Sequence, residues 1–485
     1  MNRIKSYIAV AALASMVACS SEKSWEVAPP PSEDKGEVVG NASVWVTSGS
    51  KGRLFQKLDD VDIYSASTSS GTSITVDFSE KYQSIDGYGA ALTGSSAYMI
   101  KNGLSTAKRA ELLTQLFDPN SGIGISYLRL TIGASDFSLS DFTYNDLSAG
   151  QTDPEMSQFS IAKDKEEVVP VLKEILEVNP DIKIMASPWS APAWMKSNNS
   201  LGGGSLESEW YGAYALYLAK YIEAYASEGI HIDAITVQNE PLHETSGYPT
   251  MKMEAEEQLV FIRDYLGPLF EEHSLTTKVI LYDHNFDRAD YPITILEDAD
   301  VRKYVAGSAF HAYAGSVGSM SQVHFAQPDM GLYFTEVSGG EWATDFGSNL
   351  QWMMTNIFIG TGKNWSKNAL LWNLALNENH GPTNGGCQDC RGVVTIKSDQ
   401  SVAYNEEYYA LAHMSKFVRP GAERVKSTLQ GGQGIEHIAF INEDGSKVLV
   451  LFNSNATTVN ADVLVGENQF SVALEGASAV TLLWE

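Results

Sequence analysis

The strongest constraint on the fold is a hydrophobic pattern that changes repeatedly along the middle of the chain. Short apolar runs typical of buried strands alternate with longer segments in which apolar residues recur at helical spacing. In chain order, the runs are SIDGYGAALTG, SYLRLTIG, IKIMASPWS, DAITVQNE, KVILYDHN, GSAFHAY, GLYFTEVS and ALLWNLAL. Neighbouring parallel strands need a crossover connection, which is usually a helix. The pattern therefore predicts an α/β fold, a (β/α)8 barrel, over residues 81–418.

The segments between these runs predict the helices of the barrel. Helical periodicity is clear over residues 164–178, 211–226 and 254–270, and a last barrel helix is expected at 405–418. A doubly wound parallel sheet is the alternative for such alternation. It is disfavoured because no GxGxxG sequence follows the first run.

Both ends of the chain predict a second, β-rich domain. Strand-like runs occur in residues 42–80, and further runs after residue 418 alternate with the turn sequences EDGS and EGAS. The N-terminal runs are ASVWVTS and SITVDF, and the C-terminal runs are IEHIAFIN, KVLVLFNS, FSVAL and AVTLLW. We expect residues 42–80 and 419–485 to form one β-sandwich beside the barrel.

The first 18 residues have the features of an export signal. Arg3 and Lys5 precede the run YIAVAALASMVA, which is too short to span a bilayer as a permanent helix. The sequence MVAC resembles a bacterial lipobox, which implies a lipid anchor on Cys19; an ordinary cleaved signal is the alternative. Residues 19–41 are rich in proline, serine and acidic residues, so we expect a disordered tether. These features predict a lipid-anchored protein of the bacterial cell envelope, on the outer membrane, facing the periplasm or the exterior.

Charge and cysteine usage exclude several classes of function. The net charge of -27 disfavours nucleic acid and anionic membrane surfaces as partners, so membrane contact is expected only through the lipid. For Cys387 and Cys390 a disulfide is favoured over free thiols or a metal site, because no second pair of ligands is evident. No HExxH, P-loop or GxSxG motif occurs. We expect no metal and no cofactor.

Most of the apolar runs end in polar or aromatic residues. In a (β/α)8 barrel the carboxyl ends of the strands open onto the active-site face, so these side chains are expected to converge. They are Arg129, Ser190, Glu240, His284, Tyr313, Glu336 and Trp372.

Glu240 and Glu336 suggest glycoside cleavage with retention of configuration. That reaction needs an acid and a nucleophile with carboxyl groups about 5 to 5.5 Å apart. The two glutamates end the fourth and seventh runs, on opposite sides of the predicted barrel mouth. Arg129 is expected to keep Glu336 ionised, and partial burial to keep Glu240 protonated. A surface carboxylate just beyond a strand is the alternative for each.

Long motifs over about residues 80–400 resemble glycoside hydrolase family 30, which includes glucosylceramidases and β-1,6-glucanases. They are DGYGAALTGSSA, YLRLTIGASDFS, SPWSAPAWMKSN, QNEP, FHAY, FTEVSGG and LWNLALNENHGP. The resemblance implies that Glu240 is the general acid/base and Glu336 the nucleophile.

The resemblance also implies a set of substrate-binding residues. The predicted substrate-binding residues are Arg129, Asp136, Trp189, Asn239, Tyr248, His311, Tyr313 and Trp372. In the family, the position of Asn239 contacts the sugar 2-hydroxyl, and Trp372 is a platform beneath the ring. Tyr248 is implied on the leaving-group side. We expect His311 and His284 to support the site by hydrogen bonding, and Trp194 to shape a loop.

The substrate implied by this resemblance is a β-glucan or β-glucoside. The chain lacks extra N-terminal cysteines of eukaryotic glucosylceramidases and carries a CQDCRG loop, which favours an endo-acting β-1,6-glucanase. Glucosylceramidase, β-xylosidase or xylanase, and β-1,6-galactanase are alternatives within the enzyme class. A non-catalytic glycan-binding lipoprotein is the alternative outside it.

Overall fold

The computed structural model describes residues 36–65, 69 and 71–485. The predicted signal peptide, Cys19 and most of the predicted tether lie outside these residues. The predicted end of the tether at residue 41 is wrong, because the first strand is Val38–Ser48. The first four residues of this strand are all exposed, so they lack the alternation of buried and exposed positions from which a strand is predicted. Within the described part of the chain, no helix is long and apolar enough to cross a membrane.

Eight parallel strands form the barrel, as predicted. We number them β1 (Gly87–Ala91), β2 (Tyr127–Ile132), β3 (Lys183–Pro188), β4 (Ala234–Thr236), β5 (Lys278–Asn285), β6 (Val305–His311), β7 (Gly331–Glu336) and β8 (Asn368–Leu371). Strands β1 to β7 pair in chain order, and β8 pairs with β1. Their side chains are almost all buried, since the interior and the surrounding helices cover both faces. The predicted fold class is therefore confirmed.

The barrel closes between β7 and β8 through isolated bridges and not through a continuous ladder. Ser366, just before β8, bridges to Leu332 in parallel, and Lys367 donates its backbone N–H to the Leu332 carbonyl at 2.8 Å. The next link uses a side chain, because Phe334 donates its N–H to Asn368 Oδ1 at 2.8 Å. Asn368 thus supplies an acceptor that a regular ladder would take from the backbone.

Helices cover the outside of the barrel. They span Gly94–Asn102, Thr106–Phe117, Val168–Val178, Tyr211–Ser227, Ala255–Phe261, Gly267–Glu272, Asp290–Leu296, Ala299–Arg302, Gly318–Ala326, Phe346–Trp352, Ile359–Lys363 and Glu406–Ser415. Two π-helical segments, Ile262–Leu266 and Met353–Phe358, join neighbouring members of this set into longer helices. Single 3-10 turns occur at Ala193–Met195, Ser208–Trp210 and Phe286–Arg288.

The helix predicted from residue 164 begins later, at Val168. Asp164 is buried, and its carboxylate accepts hydrogen bonds from the hydroxyls of Tyr144 and Tyr225, each at 2.6 Å. This aspartate therefore connects two aromatic side chains beneath the loop and does not start the helix. Burial raises its pKa to about 6 despite these two donors.

The sandwich is built from both chain ends, as predicted. Its strands, in spatial order, are Gln56–Lys57, Val38–Ser48, Ser478–Trp484, Lys447–Asn453, Ile435–Ile441, Glu423–Gln430, Thr72–Ser84, Val459–Val465, Asn468–Leu474 and Val61–Tyr64. Val38–Ser48 also pairs with Val61–Tyr64, so the sheet closes on itself around an apolar core of its own. The strand Thr72–Ser84 extends past the predicted boundary at residue 80.

The last barrel helix connects the two domains. Buried His413 lies between hydroxyls of the first and last sandwich strands, 2.8 Å from Thr481 Oγ1 and 2.9 Å from Thr47 Oγ1. Burial lowers the pKa of His413 to about 3, so the imidazole is neutral and suits two neutral partners.

Two small sheets follow β7 and β8 at the active-site end. Gly339–Gly340 pairs with Cys390–Arg391, and Ala375–Asn377 pairs with Val394–Ile396, which also pairs with Val402–Tyr404. These sheets hold the long loop after β8 against the barrel mouth.

Candidate active site

Glu240 and Glu336 reach the barrel mouth by different backbone routes. Glu336 is the last residue of β7, whereas β4 ends at Thr236 and the chain continues in an irregular path to Glu240. Glu240 has a φ of 44°, which is uncommon for a residue with a side chain, and its N–H donates to the Asp283 carbonyl at 2.9 Å. This backbone contact to β5 holds the unusual conformation and directs the carboxylate inward.

Glu336 is oriented by two donors. Arg129 Nη1 lies 2.5 Å from Glu336 Oε2, and the Tyr313 hydroxyl donates to Glu336 Oε1 at 3.0 Å. Arg129 is fully buried and also donates to Asn239 Oδ1 at 2.7 Å. A carboxylate fixed at both oxygens beside a guanidinium is well suited to attack an electrophilic carbon.

Glu240 has a different partner. Its Oε1 lies 3.0 Å from His311 Nδ1, and its side chain is 17% exposed. Atoms of Glu240, His311 and Glu336 lie within 4.8 Å of one another, so the two carboxylates are close together. At least one oxygen of each carboxylate thus lies within 4.8 Å of the other, which is compatible with the separation of about 5 to 5.5 Å between the carboxyl groups of retaining enzymes.

Asp283 connects both glutamates and was not singled out from the sequence. It is completely buried in β5 and accepts hydrogen bonds from Arg129 Nη2 at 2.8 Å and from His311 Nε2 at 3.0 Å. Thr236 and Thr335 donate to the same carboxylate at 2.7 and 2.6 Å. Burial alone would raise the pKa of Asp283, but Arg129, His311 and Thr335 hold it far below its usual range.

The pKa of Glu240 contradicts the expectation that burial keeps it protonated. Burial does favour the neutral form, but the hydrogen bond and charge of His311 lower the pKa of Glu240 below its ordinary value. For His311, burial opposes protonation, whereas the charges of Glu336 and Asp283 and its hydrogen bonds raise the pKa to about 9. In the free protein, the proton between Glu240 and His311 therefore belongs to His311.

Arg129 favours the ionised form of Glu336, as expected, but its effect does not prevail: burial and the nearby charge of Glu240 raise the pKa of Glu336 above its ordinary value, although His311 and Arg129 lower it. Each carboxylate thus makes ionisation of the other less favourable. The two glutamates titrate as a linked pair and not as independent groups.

A cavity of about 440 Å³ opens above these groups. Its lining residues are Asp136, Trp189, Asn239, Glu240, His243, Tyr248, His284, Asn285, Tyr313, Glu336, Trp342, Trp372, Cys387 and Cys390. The predicted substrate-binding residues thus come together around it, except Arg129, which lies behind the cavity wall. His311 also lies behind the wall. The mixture of aromatic faces and a few polar groups is typical of a sugar-binding pocket.

Two tryptophans form one wall of this pocket. The rings of Trp189 and Trp372 are stacked with centroids 5.1 Å apart and an angle of 20° between their planes. The Arg129 guanidinium lies 5.0 and 5.5 Å from the two ring centroids. Burial and the charges of Glu336 and Glu240 raise the pKa of nearby Asp136 well above its usual value.

The loop after β8 closes one side of the pocket. Cys387 and Cys390 form a disulfide within it, and Asn384 donates its N–H to the Asp136 carbonyl at 2.7 Å. A side chain at Gly386 would overlap Asp136, so this position requires glycine for close packing. The loop therefore holds Asp136 at the pocket wall.

Of the other side chains singled out from the sequence, Ser190 lies away from the cavity, whereas His284 and Tyr248 line it. Ser190 does not line the cavity, because its Oγ accepts a hydrogen bond from buried Lys196 at 2.8 Å. Trp194 donates to Asn145 Oδ1 at 2.9 Å and shapes a loop, as expected. His284 lines the cavity, and burial lowers its pKa to about 4; its buried Nδ1 has no hydrogen-bond partner in the described part of the chain, so the expected support by hydrogen bonding is not seen. Tyr248 also lines it, with its hydroxyl 2.9 Å from His243 Nε2.

The spacing of Glu240, His311 and Glu336 is also compatible with a metal ion. However, their contacts fit an acid–base site better. The Arg129 guanidinium already neutralises Glu336, and the protonated imidazole of His311 faces Glu240. A cation would have to compete with both positive charges.

Comparison with known proteins identifies the family. Residues 85–418 match the glycosyl hydrolase family 30 TIM-barrel domain, and residues 421–482 match the family 30 β-sandwich domain. The chain belongs to glycoside hydrolase family 30. The resemblance seen in the motifs is thus confirmed, and with it the assignment to the glycoside hydrolases. Retention of configuration, expected for this chain, is typical of that family.

Family 30 relatives extend over most of the chain. An endo-1,6-β-D-glucanase of Aspergillus fumigatus is 36% identical over 416 residues, which are 80% of this chain and 82% of the relative. The lysosomal acid glucosylceramidase of Mus musculus is 29% identical over 446 residues, covering 86% and 84%. A solved endo-β-1,6-glucanase structure has a TM-score of 0.86 and 36% identity, and the match covers 92% of this chain and 99% of that one.

Proposed function

We propose that this protein is a retaining, endo-acting β-1,6-glucanase in which Glu336 is the nucleophile and Glu240 the general acid/base. The observation that carries the mechanism is the close approach of the two carboxylates, within 4.8 Å, with different partners on each. Arg129 and Tyr313 orient Glu336, whereas Glu240 has His311 as its neighbour. Two carboxylates in unlike surroundings can take two different roles.

In the first step, a Glu336 oxygen attacks the anomeric carbon while the bond from that carbon to the leaving oxygen breaks. Glu240 delivers a proton to the departing oxygen, and a glycosyl ester forms on Glu336. In the second step, Glu240 takes a proton from water, the water oxygen attacks the anomeric carbon, and Glu336 is released. The two inversions restore the starting configuration.

The proton for the first step comes from the Glu240–His311 pair. His311 holds it in the free protein, 3.0 Å from Glu240, while its Nε2 donates to Asp283. When Glu336 bonds to the anomeric carbon it becomes a neutral ester, so the negative charge that stabilises protonated His311 is lost. The proton then moves to Glu240 and on to the leaving oxygen.

The β-1,6 linkage is supported by relatives. The glucanases of Aspergillus fumigatus, Trichoderma harzianum and Neurospora crassa are named endo-1,6-β-D-glucanases and are 36%, 34% and 35% identical to this chain. Glucosylceramide is the second candidate substrate, because the mouse glucosylceramidase is 29% identical. Hydrolysis of a linear β-1,6-glucan and of glucosylceramide, measured side by side, separates the two.

The chemical roles are tested by trapping the intermediate. A 2-deoxy-2-fluoro β-glucoside with a good leaving group is expected to inactivate the protein by esterifying Glu336. Peptide mapping should then find the added mass on the peptide that contains Glu336. A label on any other carboxylate contradicts the assignment.

Matched glutamine variants complete this test. Glu336→Gln is expected to reduce turnover of an aryl β-glucoside by at least about 10³-fold, because the nucleophile is lost. Glu297→Gln makes the same chemical change at an exposed position and should retain wild-type turnover. A wild-type protein that binds β-glycans but releases no reducing ends from any of them indicates a binding protein and overturns the enzyme proposal.

The N-terminal sequence supports a location at the cell envelope. Arg3, Lys5, the apolar run and the MVAC sequence are the features of a lipoprotein signal. We infer that Cys19 carries lipid and holds the protein on the outer membrane of a bacterium. Metabolic labelling with a fatty acid should mark the wild-type protein and not Cys19→Ala, and a label on both variants contradicts this location.

A further inference from the structure

A second cavity adjoins the catalytic pocket. It has a volume of about 690 Å³ and lies between the loop after β7 and the helix Phe346–Trp352. We call it the outer cleft and define it by Tyr313, Trp342, Asp345, Ser348, Asn349 and Trp352. None of these residues except Tyr313 has a role in the chemistry described above.

The outer cleft is continuous with the catalytic pocket. Tyr313 and Trp342 line both cavities. The Tyr313 hydroxyl is 3.0 Å from Glu336 Oε1, so the cleft begins directly beside the reacting carboxylate. A polymer bound across the catalytic pocket thus has a path into the outer cleft.

Two indoles line the outer cleft with much of their surface exposed. Trp342 is 57% exposed and Trp352 is 38% exposed, in contrast to 3% for Trp372 in the catalytic pocket. Large aromatic side chains are usually buried, so exposed tryptophans beside a catalytic pocket indicate a ligand surface.

The indole of Trp342 is supported from one side by backbone. A Cβ at Gly340 would overlap the six-membered ring of Trp342, so the glycine lets the indole pack against the main chain. Gly340 is itself paired with Cys390 in the small sheet at the barrel mouth. One side of the ring is therefore supported, and the exposed part remains available for contact.

Polar groups accompany the two indoles. The Asn349 amide donates to buried Glu407 at 3.2 Å, and Arg391 donates to the same Glu407 carboxylate at 2.9 and 3.2 Å. Asp345 Oδ1 accepts from the Ser348 N–H at 2.8 Å, which keeps this carboxylate at the start of the helix. Aromatic faces next to fixed polar groups match the apolar faces and hydroxyl edges of a pyranose.

An alkyl chain fits this surface less well. It would remove water from the exposed Asp345 carboxylate and Ser348 side chain without offering them hydrogen bonds, and such desolvation of polar groups is unfavourable. A sugar can instead bond to these groups while its ring stacks on an indole. The chemistry of the lining therefore favours a carbohydrate over the lipid portion of a glycolipid.

We propose that the outer cleft binds glucosyl units of the β-1,6-glucan chain beyond the scissile bond, with Trp342 and Trp352 as stacking platforms. This inference rests on the proposed glucanase function and identifies the surface that makes the enzyme select polymer over short glucosides. Endo action needs such binding of several units on a chain.

Trp352 provides the sharper test, because it lines only the outer cleft. Trp352→Ala should lower kcat/KM on a linear β-1,6-glucan by about tenfold, chiefly through KM, and leave kcat/KM on an aryl β-glucoside within about twofold. Trp352→Phe should keep most of the polymer activity, since it retains an aromatic face. Trp342→Ala is likewise expected to lose more activity on the polymer than on the aryl β-glucoside.

Phe325→Ala is the matched control. Phe325 is 73% exposed but outside both cavities, so its removal should change neither activity. Equal losses by Trp352→Ala on the polymer and the aryl glucoside, or no loss on either, overturn the proposal. A loss confined to glucosylceramide assigns the cleft to lipid and overturns it as well.

The activities of the wild-type protein and of Trp352→Ala distinguish failure of the outer cleft proposal from failure of the glucanase proposal. If the wild-type protein hydrolyses no aryl β-glucoside and no β-1,6-glucan, the glucanase proposal fails. If the wild-type protein hydrolyses both and Trp352→Ala retains the wild-type ratio of the two activities, the outer cleft proposal alone fails.

Discussion

Asp283 accepts a 3.0 Å hydrogen bond from His311 Nε2 and, through its other oxygen, a 2.8 Å hydrogen bond from Arg129. Through His311 it reaches Glu240, and through Arg129 it reaches Glu336. One buried carboxylate therefore orients the groups that contact the proposed acid/base and the proposed nucleophile. Its charge also offsets the two cations that face the catalytic pair.

Replacement of Asp283 should slow catalysis even though it touches no substrate. Asp283→Asn retains the shape but removes the charge that holds His311 protonated and Arg129 in place. We expect kcat to fall by about 10²-fold with a small change in KM. Thr335→Val removes one donor to Asp283 and leaves its charge, so its effect should be much smaller. Wild-type kcat in a folded Asp283→Asn protein, verified by circular dichroism, contradicts the role.

The loss of activity caused by removing the Glu240 carboxylate should depend on the leaving group of the substrate. Glu240→Ala is expected to lower turnover of β-1,6-glucan by about 10² to 10⁴-fold. A dinitrophenyl β-glucoside needs little protonation, so its first step should remain fast and the ester should accumulate. Added azide should restore turnover and yield the β-glucosyl azide. Formation of the α-azide by this variant assigns the nucleophile role to Glu240 instead.

The alkaline limit of activity should report the proton on His311. Its pKa is raised to about 9, so the Glu240–His311 pair keeps its proton well above the ordinary histidine value and loses it near pH 9. We expect kcat/KM on an aryl β-glucoside to fall above about pH 9. In His311→Asn the limit should move at least about one unit toward acid, because Glu240 then titrates alone. An identical pH profile in both proteins argues against a shared proton.

Closure of the barrel should depend on Asn368. Asn368→Ala leaves the buried Phe334 N–H without its acceptor, at a cost of about 1 to 3 kcal/mol. The urea midpoint should fall accordingly. Asn379→Ala, at an exposed position, is the control and should change stability by no more than about 0.5 kcal/mol. An unchanged midpoint in Asn368→Ala shows that the backbone alone closes the barrel.

Catalysis should not require a metal ion. Arg129 and protonated His311 already occupy the positions from which a cation would neutralise Glu336 and Glu240. Dialysis against EDTA is therefore expected to leave kcat on an aryl β-glucoside unchanged. A loss of activity that zinc or another divalent ion reverses assigns Glu240, His311 and Glu336 to a metal site.

The family motifs implied Asp136, Trp189 and Tyr248, whereas the two glutamates were found at the ends of clearly apolar runs. Glu240 and Glu336 stand out there because a charge after a buried strand needs a reason, and the alternation of strands and helices predicts that they meet. The β-sandwich was equally accessible, since its strands alternate with recognisable turns. Ser190 followed the same rule and was misplaced, because a buried lysine from its own loop binds it.

Asp283 was not predicted from the sequence because β5 is irregular at this position. Tyr282 and Asp283 have φ values of 72° and 66°, and the pairing with β6 shifts register at this point. The bulge turns Asp283 inward, although simple alternation gives no reason to prefer it over His284. The lowered pKa of Glu240 could not be predicted either, because it depends on contact with His311. The outer cleft could not be predicted because it is formed by loops distant in sequence.

The pairing of strands from the two ends of the sandwich has a consequence for the order of folding. Residues of Val38–Ser48 pair with Ser478–Trp484, so Val38–Ser48 gains this neighbour only when residues 478–484 are available. The barrel strands lie between them in sequence and can assemble sooner. A chain that stops short of Ser478 leaves an apolar edge uncovered, which marks it for aggregation or proteolysis. A chain truncated before Ser478 therefore cannot complete the sandwich.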